Sequence, residues 1–297
     1  MLYDAIVVGG SFAGLSAAMQ LARARRRVLV IDSGLPRNRF SAASHGFLGQ
    51  DGKPPYDILR EAVRQLSAYP TVEFVKGEAT GASPVDGGFA LTLGDGREEQ
   101  AARLVLATGV RDELLPIPGM QERWGRTVLH CPYCHGYEVA GRTLGVLARP
   151  PLLVHQALLI PDWGPTTFFT QGLELDADQA AQLAGRGVRV EPTPVVELLG
   201  EAPGLEGVRL ADGRVIPLQA VFTPPDVRMA SPLAERLGCA FEEGPLGPYI
   251  RVDDRKLTTV AGVYAAGDAA SPMHNATLAS AGGVLAGVGA HQSLVMG

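Results

Sequence analysis

Cysteine is scarce in this chain, with three among 297 residues. Three thiols cannot staple a secreted framework, so the fold must rest on its hydrophobic core. An excess of positive charge is also missing. Twenty-six Lys and Arg against 31 Asp and Glu leave a formal charge of −5, and without a basic footprint nucleic acid is not an expected partner. The one basic cluster, Arg23, Arg25, Arg26 and Arg27, directly follows a helical pattern, where the helix dipole favours cations. No run reaches the ~18 strongly apolar residues that a membrane helix needs. The stretch Ala276 to Ala290 is mostly Ala and Gly and suits close helix packing instead. The opening MLYDAIVVGG carries Asp4 and no basic leader, so no signal peptide is expected and the cytoplasm is the expected location. What is present, 46% hydrophobic and 19% charged residues, describes a globular protein long enough for one large or two mid-sized domains.

The first 32 residues read strand, tight turn, helix, strand. Ala5-Ile6-Val7-Val8 ends in glycine, Leu15 to Arg23 has apolar residues at helical spacing, and Val28-Leu29-Val30-Ile31 is a second short apolar run. That is a βαβ unit with parallel strands. A loop rich in Gly, Pro, Asn and Ser runs from Gly34 to Pro55, too long for idle filler and therefore expected to be functional. Residues 57–69 read as helix, and strand pairs are expected between Thr71 and Leu93. A further run, Leu104 to Ala107, closes with Thr108-Gly109. Leu115 to Gly119 and Pro224-Pro225 read as crossings between domains. The middle block has strand candidates at Thr143–Ala148, Thr166–Thr170, Val188–Val190 and Val221–Thr223. A last strand, Gly262–Ala265, leads to Gly267-Asp268 and a small-residue helix from about Asn275. The expected architecture is α/β, with two Rossmann-like three-layer lobes. The first comprises residues 1–113 and 226–297, and the second residues 114–225.

Gly9-Gly10-Ser11-Phe12-Ala13-Gly14 lies between the first strand and helix, where a phosphate-binding turn must lie. Gly9 permits the tight turn and Gly14 the close approach of helix and strand, while free helix N–H groups receive a pyrophosphate. Ser11 takes the usual middle glycine position, and its hydroxyl is small enough to be tolerated there. Asp32 ends the second strand, 18 residues beyond Gly14, where a carboxylate accepts ribose hydroxyls. This fingerprint leaves FAD and NAD open.

The segment Val263-Tyr264-Ala265-Ala266-Gly267-Asp268 narrows the choice. Together with the GGxxAG-type start, Ala107-Thr108-Gly109 and a central CxxC, it makes the chain resemble, over nearly its whole length, the low-molecular-weight thioredoxin reductases, class II of the pyridine nucleotide-disulfide oxidoreductases. The resemblance implies the thioredoxin reductase-type FAD/NAD(P)-binding fold, FAD in the first lobe and a homodimer. It implies that Asp268 meets the ribityl chain and pyrophosphate, and that Ala276 and Thr277 open a helix aimed at the flavin pyrimidine edge. It also places Ser33, Arg39, His45 and Ala79 among the cofactor-site residues.

His130-Cys131-Pro132-Tyr133-Cys134-His135-Gly136-Tyr137-Glu138 is the expected chemical centre. Two cysteines at this spacing, on a turn leading into a helix, suit a reducible disulfide. Other readings of the pair stand beside this one. Zinc would want four ligands, and Cys239 with a histidine offers no second close pair. The pattern CxxCH also matches covalent haem attachment, which needs export. A structural pair is the third. By resemblance, Cys134 is the flavin-facing sulfur and Cys131 the one that exchanges with substrate. Cys239 reads as a buried hydrophobe. His135 stands where the thioredoxin reductases place an aspartate, and an imidazole with a pKa of ~6.5 suits the taking and returning of a proton. The block CPYCHGYE resembles the dithiol oxidases that close disulfides in gliotoxin-like and holomycin-like metabolites. His130 is a second candidate base, and His45, in Ser44-His45-Gly46, is either functional or a solvated loop residue.

The middle lobe lacks what an NADPH grip needs. Leu144-Gly145-Val146-Leu147 leads into Ala148-Arg149-Pro150-Pro151-Leu152-Leu153, with no glycine turn and with prolines that remove the N–H groups a pyrophosphate would use. Thr170-Gln171-Gly172-Leu173-Glu174 carries an acid and no arginine. NADPH is therefore doubtful. The expected function is FAD-dependent thiol–disulfide exchange with a small dithiol or a thioredoxin-like protein, with dioxygen as a candidate acceptor. An NADPH-dependent disulfide reductase and a flavin-bound redox sensor without turnover are the alternatives.

Overall fold

A computed structural model describes residues 2–150 and 154–296. It divides into two compact units, Met1–Arg39 with Tyr56–Arg111 and Val227–Gly297, and Phe40–Pro55 with Asp112–Asp226. Pro151, Leu152 and Leu153 lie outside the described residues, and so does that part of the expectation about the second turn.

In the first unit β1 (Leu2–Val8) leads through the glycine turn to α1 (Phe12–Arg23) and β2 (Val28–Asp32). Then come α2 (Pro55–Leu66), β3 (Val72–Lys76), β4 (Ala79–Val85), β5 (Gly88–Leu93) and β6 (Glu98–Leu106). Helix α2 stops three residues short of the expected Tyr69. The Ser67 hydroxyl donates to the Val63 carbonyl at 2.9 Å, satisfying a helix-end acceptor and closing the last turn. Strands β3-β2-β1-β6 are parallel neighbours, and β5 and β4 continue the sheet as an antiparallel pair.

Strand β7 (Val110–Glu113) begins the passage to the second unit. There β8 (Val128–Leu129) is followed by α3 (Pro132–His135), β9 (Leu144–Leu147), α4 (His155–Leu159), β10 (Thr166–Phe169), α5 (Ala177–Gly185) and β11 (Arg189–Glu191). A three-stranded antiparallel sheet follows, β12 (Val195–Leu199), β13 (Gly207–Leu210) and β14 (Val215–Pro217), before β15 (Ala220–Phe222). The parallel sheet runs β11-β10-β9-β15-β8. Chain order reverses between β9 and β15, the position where ligands enter open α/β sheets. The return passes through β16 (Asp226–Met229), α6 (Leu233–Arg236) and the β17 (Phe241–Glu243), β18 (Pro248–Ile250) hairpin. It ends with β19 (Val263–Ala265), parallel to β6, and α7 (Ala276–Met296).

The alternation of β1 explains the layers of the first unit. Ala5 and Val7 face α1 and α7, where Leu15, Leu21, Ala286 and Ala290 are buried with them. Ile6 and Val8 face the other side, with Phe89, Leu91, Leu233 and Ile250. A parallel sheet covered on both faces needs such runs of apolar residues. Helix α7 packs on α1 through residues too small to keep it away. A Cβ on Gly283 would collide with the Ala13 carbonyl, and one on Gly287 with that of Ala17. The basic cluster ends α1 as expected. Arg23 is in its last turn, Arg26 lies 3.5 Å from Asp4, and the Arg27 guanidinium lies 5.4 Å from the Tyr3 ring centre.

The tight α1–α7 contact makes a direct prediction. Gly283→Leu forces a side chain onto the Ala13 backbone, and overpacking of this kind costs about 1–3 kcal/mol or more. At about 2–4 °C per kcal/mol for a domain of this size, its melting temperature should fall by about 2–12 °C. Ala181→Leu, on the exposed side of α5, should leave it nearly unchanged. Equal melting temperatures for the two variants would contradict the packing.

Candidate active site

The turn after β1 is held together by backbone rather than side chains. Gly9 has φ +109°, and a Cβ there would strike the Ala107 carbonyl. A Cβ on Gly14 would strike the Gly9 carbonyl oxygen, so only glycine lets α1 start this close to β1. Asp32, at the end of β2, accepts from the Gly10 amide at 2.9 Å and from the Gly34 amide at 3.1 Å. A Cβ on Gly10 would lie 2.7 Å from the Asp32 side chain. Ser11 is the N-cap of α1, yet its hydroxyl makes no capping bond, which leaves it for a ligand. The backbone around Phe12 and Ala13 then opens the helix. This cradle fits a dinucleotide pyrophosphate.

Several other expected cofactor residues of this unit follow β6, which pairs with β1, and β19, which pairs with β6. Ala107, Thr108 and Gly109 (φ +67°) follow β6. Gly267 has φ +75°, and a Cβ on it would come within 2.9 Å of the Ala13 Cβ. Asp268 pairs with Arg37 at 2.9 Å, both largely buried. The sequence reading missed Arg37, a basic residue in the long loop that counters this acid. Asn275 caps α7, its Oδ1 accepting from the Thr277 amide at 2.8 Å. The Thr277 N–H beside Ala276 is thus already engaged. Ser33 and Arg39 are exposed, Arg39 donating to the Pro36 carbonyl at 3.0 Å, and Ala79 is buried at the start of β4.

Within the second unit Cys131 and Cys134 form a disulfide with Cα atoms 5.2 Å apart. Pro132 opens α3, and Cys131 caps it, its Sγ accepting from the Cys134 amide at 3.1 Å. A thiolate formed on Cys131 would keep that donor. Gly136 admits Trp163, since a Cβ there would lie 2.7 Å from the indole. Trp163 meets the Tyr133 ring edge-on at 5.9 Å. Tyr133 and Tyr137 themselves are exposed. The His130 carbonyl accepts from Gln156 Nε2 at 2.6 Å. Cys239, by contrast, is buried in the first unit's core. Its thiol lies 3.6 Å from the Thr258 hydroxyl, and burial pushes its pKa up.

His135 closes α3 with its Nε2 3.5 Å from the Ser41 hydroxyl. Burial lowers its pKa. Glu138 acts against that shift and His45 with it. His45 groups with this unit, as do residues 40–55 generally. Its Nε2 lies 3.4 Å from Glu138 and its Nδ1 3.6 Å from Asp51. Glu138 and Asp51 were both present in the motif segments, but no spacing rule joins a loop acid to one some ninety positions away. Among the described residues no three His, Cys, Asp or Glu side chains are arranged to hold a metal ion.

Among the described residues directly after β9, Ala148, Arg149 and Pro150, there is no glycine like those of the first cradle. Arg149 donates from Nε to Asp226 at 2.9 Å and makes a second bond from Nη2 to the same carboxylate. Helix α4 has five residues and no side-chain cap. After β10, Gln171 is turned inward, accepting from the Val195 amide at 2.8 Å.

These features agree with comparisons to known proteins. A family model for pyridine nucleotide-disulphide oxidoreductases matches residues 3–143. Thioredoxin reductase tcpT of Claviceps purpurea is 33% identical, covering 96% of this chain and 92% of its own. Among solved structures, an oxidoreductase from Agrobacterium tumefaciens has a TM-score of 0.95 at 52% identity, covering 99% of both chains. HlmI has a TM-score of 0.89 at 40% identity, covering 98% of this chain and 92% of its own. Among the described residues no helix is long and apolar enough to cross a membrane. A glycine-cradled βαβ turn and a CxxC disulfide, carried by a chain this similar to tcpT over its length, place it in the thioredoxin reductase-like pyridine nucleotide-disulphide oxidoreductases, as an FAD-dependent oxidoreductase whose redox-active pair is Cys131–Cys134.

Proposed function

We propose that this protein is a dithiol oxidase, which takes an electron pair from a small dithiol through Cys131–Cys134 rather than from NADPH. The observation that carries the reading is the commitment of Arg149 to Asp226 beside a turn without glycines. Arg149, the one cation in the segment 148–153 after β9, already has a carboxylate partner, and fold alone does not supply a cofactor grip. The first unit is proposed as the FAD-binding domain. Gly9, Ser11, Phe12, Ala13 and Gly14 would hold the pyrophosphate, Asp32 the ribose, and Asp268 with Arg37 the remaining polar chain. The second unit is the disulfide-bearing domain. A homodimer belongs to the same proposal. The exposed Leu278, Leu285, Val288 and Val295 along α7 support it, because such rows of apolar residues on a soluble protein mark interaction faces.

In the chemistry proposed, a substrate thiol attacks Cys131 Sγ, the Cys131–Cys134 bond breaks, and Cys134 leaves as a thiolate. The second substrate thiol then attacks its own mixed-disulfide sulfur and releases Cys131. The substrate is oxidised by one electron pair, and the protein disulfide is reduced by the same pair. His135 accepts the proton as the thiol attacks, with His130 the other imidazole beside the pair. FAD, when bound, would supply the two-electron acceptor for the reduced Cys131–Cys134 pair, with dioxygen as the proposed final oxidant.

Anaerobic mixing with NADPH should leave the flavin oxidised, whereas a small dithiol should reduce it. Saturable reduction by NADPH at about 10 s⁻¹, an ordinary enzymatic turnover, would overturn the proposal in favour of a reductase. The role of His135 has its own signature. Burial lowers its pKa below 6.5, so the imidazole stays a neutral acceptor from about pH 6.5 upward and is lost as an acceptor when pH falls through its lowered value. His135→Asn should slow reduction of the disulfide by at least ~10-fold near pH 7, within the ~10²- to 10⁴-fold usual for acid–base help. The deficit should shrink toward pH 9, where thiols of pKa ~8.5 arrive ionised. Quenched-flow rates that match wild type from pH 6 to 9 would make His135 structural.

A further inference from the structure

The surface around Cys131–Cys134 gathers bare apolar side chains. Among the described residues, three of the four most exposed large apolar side chains are Leu48 at 98%, Tyr137 at 85% and Tyr133 at 73%. The remaining one, Met296, ends α7. A single exposed apolar side chain on a folded protein is ordinary. Three of them on two short segments beside a disulfide mark a recognition surface.

Each is presented on ordered backbone. Tyr133 lies between the two cysteines, inside α3, and Trp163 meets its ring edge-on with the planes 85° apart. The Tyr133 ring is therefore oriented before anything binds, while most of the side chain stays open to solvent. Tyr137 begins a short 3-10 turn directly after Gly136. Leu48 is at the tip of a closed loop. The Ser44 amide donates to the Lys53 carbonyl at 2.8 Å and the Gly52 amide to the Ser44 carbonyl at 2.9 Å, which joins the loop's ends. Within it, the Gly46 amide donates to Asp51 at 2.8 Å and the Gln50 amide to the Phe47 carbonyl at 2.9 Å. Two residues before Leu48, a Cβ on Gly46 would lie 3.8 Å from the Tyr133 carbonyl, so the tip stands beside α3. The loop and α3 belong to the same unit.

Resting on the dithiol-oxidase reading, we propose that Tyr133, Tyr137 and Leu48 determine substrate specificity, and that the dithiol they select is carried on a flat apolar ring. Such a ring has a face to set against the two tyrosines, and an open-chain polar dithiol has none. Side chains already held in place give that contact at little entropic cost. None of the three touches the reacting electrons; they hold the scaffold while its thiol reaches Cys131.

The test compares two uncharged dithiols that close a disulfide ring of the same size, benzene-1,2-dimethanethiol and dithiothreitol. Anaerobic reduction of FAD-loaded protein is followed by flavin absorbance and, after alkylation, by mass spectrometry of Cys131 and Cys134. Each rate is divided by the same dithiol's rate with a small free disulfide. Wild type should favour the ring-bearing dithiol by at least ~5-fold, as two ring contacts would give. Tyr137→Ala should lower that preference about 2- to 12-fold, the range for one lost aromatic contact, with the loss in the half-saturating concentration rather than the limiting rate. Tyr137→Phe should keep the preference, and Leu48→Ser should lower it. Equal corrected rates in wild type overturn the inference and leave the dithiol-oxidase reading standing. An undiminished preference in Tyr137→Ala does the same, as does a Leu48→Ser protein that loses FAD, which would assign the loop to the flavin. Reduced thioredoxin that outruns both dithiols would make the patch a protein-docking face and overturn it too. A disulfide that neither dithiol reduces overturns the dithiol-oxidase reading itself, and this inference with it.

Discussion

Backbone against backbone at Gly14 is the contact on which the first unit depends. With no Cβ, α1 starts directly beneath the Gly9 carbonyl, and the first-turn N–H groups face the end of the sheet instead of being screened by side chains. The same economy is repeated on the outer side of α1. There Gly283 and Gly287 let α7 settle against Ala13 and Ala17. Asp32 can then reach back to the Gly10 amide, and Asp268 is delivered to Arg37 by the strand–turn that precedes α7. Each polar group of the cradle is positioned by an apolar or glycine contact behind it.

The second unit shows the same sheet logic without that contact. Its strands are parallel and buried, and chain order reverses between β9 and β15 as it must for a ligand crevice. Yet β9 leads into Arg149 fastened to Asp226, with a short helix beyond. What the unit holds instead is a disulfide at the start of α3, a histidine at its end and a group of carboxylates around a second histidine.

Legibility in the sequence followed the range of the interactions. The β1–α1–β2 unit was readable because its apolar runs are short, bounded by glycine and closed by Asp32, all within 32 residues. β9, β10, β15 and β19 were readable for the same reason. The sheet β12–β14 was not, since its strands are brief, alternate poorly and are broken by Pro203, Gly204 and Gly213. The disulfide announced itself through spacing. Asp51, His45 and Glu138 did not, because what joins them is the return of the 40–55 loop to the segment after α3, and no local pattern encodes that. The sequence reading likewise named Asp268 without its partner Arg37.

The central claim is that electrons enter this protein as thiols at Cys131. Anaerobic single-turnover mixing of FAD-loaded protein with a small dithiol, compared between wild type and Cys131→Ser, tests it most directly. The account predicts prompt loss of the oxidised flavin absorbance in wild type and none in the variant, although both retain FAD. A variant whose flavin is reduced at the wild-type rate would show that electrons bypass the disulfide and would contradict the account.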